Sequence, residues 1–264
     1  MASEQMEKLD EQVIEEKKEL DLLDSSHPLM KEFRNIAPGT HKHTQSLVSM
    51  VENVCAAIDM PANRADRLKM AGMYHDVGKM WFPQLYSENQ GEENIHDAID
   101  DPWVSYQLIT RHVSDTVAIM VANNFPVKVI KIASQHHGTC VLKGMADKLK
   151  KSGTKVDSDD FRYKTQKPSC TESLILMLCD QIEASSRSIY VDQKKDISPD
   201  ELVLVSVYNK LHTDGQFDNV EIVLGELKKI QEALISDVSS NFHKRVEYEE
   251  NKDLPEKKEK SEQA

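Results

Sequence analysis

Seven residues in this sequence have side chains that bind divalent cations and positions that would turn them inward: His43, His75, Asp76, His112, His136, His137 and Asp180. Imidazole nitrogens and carboxylate oxygens are natural ligands for such ions. The stretch MYHDVGKM, Met73 to Met80, sets His75 beside Asp76 and follows them with Gly78 and Lys79. Alone, that pair is a weak signal, because helix ends are often polar. A single inward histidine is also more often a satisfied core residue than a ligand. The joint pattern of H, HD, H, HH and D across the chain is far more specific.

The elements that must position these residues read as helices. Leu47, Val51, Val54 and Ile58 recur at four- and three-residue steps, which is one face of a helix. His43 extends that stripe backwards by one turn. His75 follows Leu68, Ala71 and Gly72, and His112 follows Leu108 and Ile109. His136 follows Val129, Ile132 and Ala133, His137 follows Ile130 and Ala133, and Asp180 follows Leu176 and Met177. Titratable groups thus fall where periodicity predicts core. Burying an unpaired carboxylate costs on the order of several kcal/mol, and such a group would ordinarily protonate. A bound cation resolves the conflict. Seven ligands exceed what one ion with open positions requires, so two ions are expected, with Asp76 able to bridge them through its two oxygens. The other histidines (His27, His41, His96, His212 and His243) lack comparable placement and are expected at the surface or behind the ligands.

The rest of the chain fits an all-α protein. Leu227, Ile230, Leu234, Val238 and Phe242 mark another helical face, and no stretch alternates convincingly as a strand. Residues 1–22 alternate charges and read as an exposed helix or extension, and residues 250–264 read as a disordered charged tail. Between them, 23–249 is expected to be one domain. Lys151 to Ser169 is a long polar loop carrying Phe161, Arg162, Tyr163, Lys164 and Lys167, and loops of that length inside a domain are often functional.

Composition limits the function classes. The content is 39% hydrophobic and 30% charged, enough for a core and too polar for a membrane-embedded body. The longest apolar runs, VAIMVA and LILMLC, fall far short of the ~20 residues a spanning helix needs. The opening MASEQMEKLDEQ is neither a secretory signal nor a myristoylation site. Cys55, Cys140, Cys170 and Cys179 lack CxxC spacing and read as reduced thiols of a cytoplasmic protein. A formal net charge of −12 argues against a nucleic-acid polymer as partner and against a membrane-surface role. A small anion is compatible, because metal ions and local cations reverse the potential inside a pocket. The charged N-terminal stretch is a place where a homo-oligomer or partner contact would form, although a solvated helix is the default for such a run.

The pattern resembles the HD superfamily of metal-dependent phosphohydrolases. It is similar above all to the cytoplasmic domain of the seven-transmembrane HD family, the PgpH-type cyclic di-AMP phosphodiesterases. HPLMKEFRNIAPGTHKHT resembles that family's opening segment. YHDVGKM, ENQ (Glu88 to Gln90), HV at His112, QHHGT, DDFRY, KP, LCDQIEASSRS, DGQFDNVEIVLGELKKI and FHKRVEY continue the likeness over roughly residues 26–248. The resemblance implies an HD-domain helical bundle with a dinuclear site in its core. It places one ion on His43, His75, Asp76 and Asp180 and the other on Asp76, His112, His136 and His137, with iron or manganese as the metal. Three departures stand out. The family's membrane-spanning and extracytoplasmic parts have no counterpart here. HKH replaces an aromatic followed by two histidines, leaving His43 intact. KTQ follows DDFRY where the family has PGP, in a loop expected beside the substrate.

The expected reaction is hydrolysis of a cyclic dinucleotide, cyclic di-AMP to pApA, by water activated at the two ions. Asp76 and Lys79 would be the catalytic pair, with Lys79 one turn on and able to touch a phosphate; the competing reading of Lys79 is a solvated helix end. Arg187, seven residues past Asp180, would hold a second phosphate, or else an ion pair with a neighbouring carboxylate. Arg162 and Tyr163 would contact a base. Competing readings keep the site for another cyclic dinucleotide, a cyclic oligonucleotide or a nucleotide phosphate, or keep the fold as a non-hydrolytic nucleotide-binding regulator. The intact ligand set weighs against the last.

Overall fold

The protein is described from a computed structural model, which covers residues 21–91, 93–151, 155–193 and 195–252, with the side chains of 191, 192 and 241–252 left aside. Nearly all of the expected N-terminal extension, and the tail beyond residue 252, lie outside the described residues. Two prolines each open a helix. Pro28 opens α1 (Pro28–Ile36), and the His27 side chain caps it by accepting from the Leu29 N–H. Pro38 opens α2 (Pro38–Ala57). Proline suits a first helical turn because the missing N–H would have no partner there.

The remaining helices are α3 (Ala62–Tyr74), α4 (Pro102–Thr110), α5 (His112–Ala122), α6 (Val127–Ser134), α7 (Lys143–Lys151), α8 (Thr171–Ser186), α9 (Asn209–Thr213) and α10 (Leu224–Lys252). Two wider π-helical runs, Arg187–Asp192 and Glu201–Tyr208, extend α8 and lead into α9. Among the described residues there is no strand, only an isolated antiparallel bridge between Val141 and Arg162. The all-helical expectation holds.

Helix α8 is the axis. Every residue from Ser173 to Asp180 is buried, so it presents no solvent face in its middle. Helices α2, α3 and α6 pack around it, and α10 lies across α2. The stripe expected on α2 is observed, with His43, Leu47, Val51 and Val54 all buried. The last helix buries Ile230, Leu234 and Val238 as its periodicity predicts. Its described length runs to Lys252, slightly past the limit expected for the domain.

The polar loop after α7 is tethered rather than free. Phe161 is fully buried and stacks on Trp103 with centroids 4.2 Å apart, inside a small cluster with Tyr106 and Ala146. That anchor fixes the chain just before Tyr163.

Candidate metal centre

Three of the seven cation-binding side chains are set by the same local device. His75, His112 and His136 each stand one or two residues beyond a helix end, where last-turn carbonyls lack intrahelical donors. Their Nδ1 atoms donate to the carbonyls three residues back: Gly72 at 2.8 Å, Ile109 at 2.7 Å and Ala133 at 2.7 Å. A carbonyl only accepts, so Nδ1 carries the proton. Each Nε2 lone pair is thereby directed into the protein, the arrangement that orients metal-ligating histidines. His43 arrives from α2, Asp180 from α8, and His137 from the turn after α6.

The donor atoms converge. His43 Nε2 lies 3.1 Å from Asp180 Oδ1, and His75 Nε2 lies 3.3 Å from Asp76 Oδ2 and 3.7 Å from Asp180 Oδ1. On the other side, His112 Nε2 is 3.4 Å from Asp76 Oδ1, His136 Nε2 is 3.8 Å from the same oxygen, and His137 Nδ1 is 3.6 Å from Asp180 Oδ2. Three overlapping groups result, each with its donors within 4.8 Å of one another: His43 with His75 and Asp180; His112 with His136 and His137; and His75 with Asp76 and His136. Asp76 sits between the first two.

These residues fit divalent cations on chemical grounds. His112 Nε2 and His136 Nε2 face each other at 3.4 Å with both Nδ1 protons already committed, so two lone pairs oppose. Two nitrogens about 2.1 Å from one shared ion would stand roughly 3.0–3.4 Å apart. His75 Nε2 and Asp76 Oδ1 are fully buried and make no hydrogen bond. Orphaned buried polar atoms are costly, and a coordinated ion satisfies both.

The charges agree. Burial pushes His43 down, but the Asp180 and Glu183 carboxylates outweigh it and raise it to about 9. Burial likewise opposes His75, and Asp76 with Asp180 carries it to about 10. Burial dominates at His136, driven down to about 3, and at His112 and His137, which also fall. Burial would raise Asp76, yet the Lys79 ammonium and His75 hold it well below the usual carboxylate range; His43 and His75 do the same for Asp180. The ionised carboxylates and the neutral His112, His136 and His137 are in the states that cation binding requires, whereas at His43 and His75 a bound cation would displace a proton.

A cavity of about 310 Å³ opens onto this cluster, lined among others by Lys79, Tyr86, Glu88, Tyr163, Gln181 and Arg187. Tyr163 is at the wall, its ring 4.3 Å from that of His137. Arg187 is at the wall as well, and among the described residues it has no ion-pair partner. Lys79 is no solvated helix end. Its ammonium is inside, 2.8 Å from both Asp76 Oδ2 and Glu88 Oε1.

Arg162 is not at the cavity. Its guanidinium bonds Asp214 with both terminal nitrogens at 2.8 and 3.0 Å, and also Asp159 and the Thr139 carbonyl. A base contact would have to break those bonds. The KTQ segment is also absent from the cavity lining: Thr165 donates to the Gly138 carbonyl and Gln166 accepts from Gln135, so the loop braces the turn that carries His136 and His137.

Three neighbours of the cluster escaped the sequence reading, and a fourth, His96, was expected at the surface or behind the ligands. Glu183 bonds His43 Nδ1 and so orients it; its place three residues after Asp180 on α8 was the available signal. Glu88 pairs with Lys79, and burial notwithstanding, that ammonium keeps its carboxyl at about 2. Gln216 is fully buried and accepts the Thr139 N–H at 3.0 Å, locking the residue two places after His137. His96 is buried in the cavity wall, Nε2 donating to the Leu85 carbonyl at 2.8 Å and Nδ1 accepting from Ser105 at 3.0 Å. Neither Glu88 nor Gln216 lies in a periodic segment.

Comparison with known proteins agrees with this geometry. The family model described as HD domain matches residues 40–185. The cyclic-di-AMP phosphodiesterase PgpH of Bacillus subtilis is 33% identical over 232 residues, 88% of this chain and 32% of that protein. Its namesake in Listeria monocytogenes is 32% identical over 235 residues, 89% of this chain and 32% of that protein. The chain therefore spans about a third of the length of the curated relatives it matches. The crystal structure of the L. monocytogenes PgpH HD domain superposes with a TM-score of 0.73 at 30% identity, covering 83% of this chain and 100% of that one. A second structure of that domain, in complex with cyclic-di-AMP, gives the same TM-score over 82% of this chain and 99% of that one.

Proposed function

Because this chain belongs to the HD-domain family, we propose that it is a metal-dependent phosphodiesterase that opens a cyclic dinucleotide, cyclic di-AMP to pApA. The observation that carries this reading is the convergence of seven donors, with orphaned His75 Nε2 and Asp76 Oδ1 among them, beneath a cavity. His43, His75, Asp76 and Asp180 would hold one divalent ion, and Asp76, His112, His136 and His137 a second, as iron or manganese. When bound, such a pair supplies a lowered water pKa and charge neutralisation at phosphorus.

The chain's own residues do the rest. The carbonyls of Gly72, Ile109 and Ala133 keep three imidazoles aimed, and Glu183 does so for His43. Lys79 presents an ammonium to a phosphate oxygen at the cavity wall, and Arg187, also in the wall, offers a planar fork for another. The Tyr163 ring, already against His137, gives an apolar face for a base. We place the catalytic unit at 23–249 and in the cytoplasm. No helix among the described residues is long and apolar enough to cross a membrane, and all four cysteines are free, which supports a reducing setting.

The departure from the family's PGP favours no other substrate, since KTQ packs against the histidine-bearing turn instead of lining the cavity. The test is a panel of cyclic dinucleotides with manganese supplied and products resolved by chromatography. Cyclic di-AMP should be cleaved fastest, to pApA. Faster cleavage of another dinucleotide would change the substrate, and tight binding without turnover would overturn the reaction.

A further inference from the structure

We propose that Glu88 is a positioning residue: it holds the Lys79 ammonium beside Asp76 so that one N–H stays directed into the cavity for a substrate phosphate. The inference rests on the phosphodiesterase reading above. An ammonium has three donors and no acceptor. Two are accounted for by Asp76 Oδ2 and Glu88 Oε1, each 2.8 Å away, and the side chains of Lys79 and Glu88 are only 13% and 8% exposed. The Tyr86 ring, 5.0 Å from Nζ, closes another side. Both Lys79 and Glu88 line the cavity, so the third donor has that space before it.

Glu88 is itself pinned to a different element from the one bearing Lys79. Thr40 Oγ1 donates to Glu88 Oε1 at 3.0 Å. The next residue, Asn89, accepts the N–H groups of Gly39 and Thr40 at 2.9 and 3.1 Å and donates back to Thr40 Oγ1 at 2.7 Å. A Cβ on Gly39 would lie 1.7 Å from the Glu88 carbonyl oxygen, so the two backbones meet as closely as glycine permits. The start of α2, one turn before His43, therefore fixes where Lys79 points. A carboxylate facing an anion site repels the substrate, so its presence there is set against the pairing it gives Lys79 and Thr40. Its use is to keep the ammonium from leaning on Asp76 alone, the carboxylate asked to serve two ions.

The experiment uses Glu88→Gln, which keeps an oxygen for Thr40 but removes the charge, with Glu88→Asp as the conservative variant and Lys79→Ala as the second background. Turnover is followed on cyclic di-AMP and on bis(p-nitrophenyl) phosphate in manganese-loaded protein, together with metal content and thermal unfolding after chelation. Glu88→Gln should lower kcat by about a hundredfold, leave KM and metal content within about twofold, and lose its effect in the Lys79→Ala background. Glu88→Asp should recover part of the rate. The unfolding midpoints of the same set should be non-additive, because the two residues touch. Unchanged kcat, equal losses in both backgrounds, additive midpoints, or loss of metal in Glu88→Gln would each overturn the proposal. Wild-type protein that spares the dinucleotide but cleaves the aryl diester refutes the substrate reading and leaves this cycle legible. Protein that cleaves neither refutes the functional reading, and the unfolding cycle then decides whether Glu88 holds Lys79.

Discussion

Gly78, two residues after Asp76, tests how tightly the metal-centre turn is packed. A Cβ built there lies 2.3 Å from the His112 carbonyl oxygen, 2.4 Å from the Thr116 nitrogen and 2.8 Å from Thr116 Oγ1. The first two are backbone atoms of α5 and cannot rotate away, so helix and turn must separate by about 1 Å to restore ordinary contact. The same movement strains the bonds from Gly78 N–H to Thr116 Oγ1 at 2.9 Å and from Thr116 Oγ1 to the His75 carbonyl at 3.1 Å. Overpacking a close-packed interior costs about 1–3 kcal/mol, and backbone displacement argues for the upper end. For a chain of this size, about 3 kcal/mol corresponds to a melting point lower by roughly 6–12 °C. Because His112 moves with its carbonyl and ligand constellations tolerate only about 0.5 Å, Gly78→Ala should also lose metal affinity by about ten- to a hundredfold. The assay is thermal unfolding after chelation, with metal content after reconstitution. Gly144, whose Cβ would meet nothing within 4 Å, is the control, and Gly144→Ala should melt at or slightly above wild type. A Gly78→Ala protein with the wild-type midpoint and full metal would refute the packing argument.

Other substitutions probe separate links. Glu183→Gln should weaken metal binding by about ten- to a hundredfold by removing the carboxylate that orients His43, measured by competition with a chelating dye. Phe161→Ala should cost about 3–5 kcal/mol, read by denaturant unfolding, because it empties the cluster that tethers the polar loop. For the Arg162–Asp214 pair the sign follows from Asp214: burial raises its carboxyl, but the Arg162 bonds hold it below its ordinary value. Its contribution is complete above about pH 4 and is lost as pH falls through the lower folded value. Arg162→Ala should therefore be less stable than wild type by a constant margin from about pH 5 to 7, narrowing below about pH 4. A margin unchanged at low pH would remove Asp214 from the account.

The seven converging side chains were legible because each lies on or just beyond an apolar helical stripe, and burial of a histidine or aspartate there is a conflict that sequence alone exposes. The helical class followed from the same periodicity. What stayed hidden depends on contacts between distant segments. Arg162, in a polar loop, read as a binding residue, while the acid that occupies it, Asp214, is far along the chain and in no periodic relation to it. Lys79 was expected to touch a phosphate, but its partner Glu88 stayed hidden because it lies among short 3₁₀ turns, where no stripe marks an inward face. The loop after Phe161 was expected beside the substrate, and only Tyr163 of that stretch reaches the cavity, since the buried Phe161 ring and the Val141–Arg162 bridge turn the rest toward the histidine-bearing turn.

Element-specific anomalous diffraction from manganese-reconstituted crystals tests the central claim most directly. Two peaks are predicted, one among His43, His75 and Asp180 and one among His112, His136 and His137, with Asp76 reaching both and neither surviving in Asp76→Ala. A lone peak, or density outside these groups, would contradict a two-ion centre.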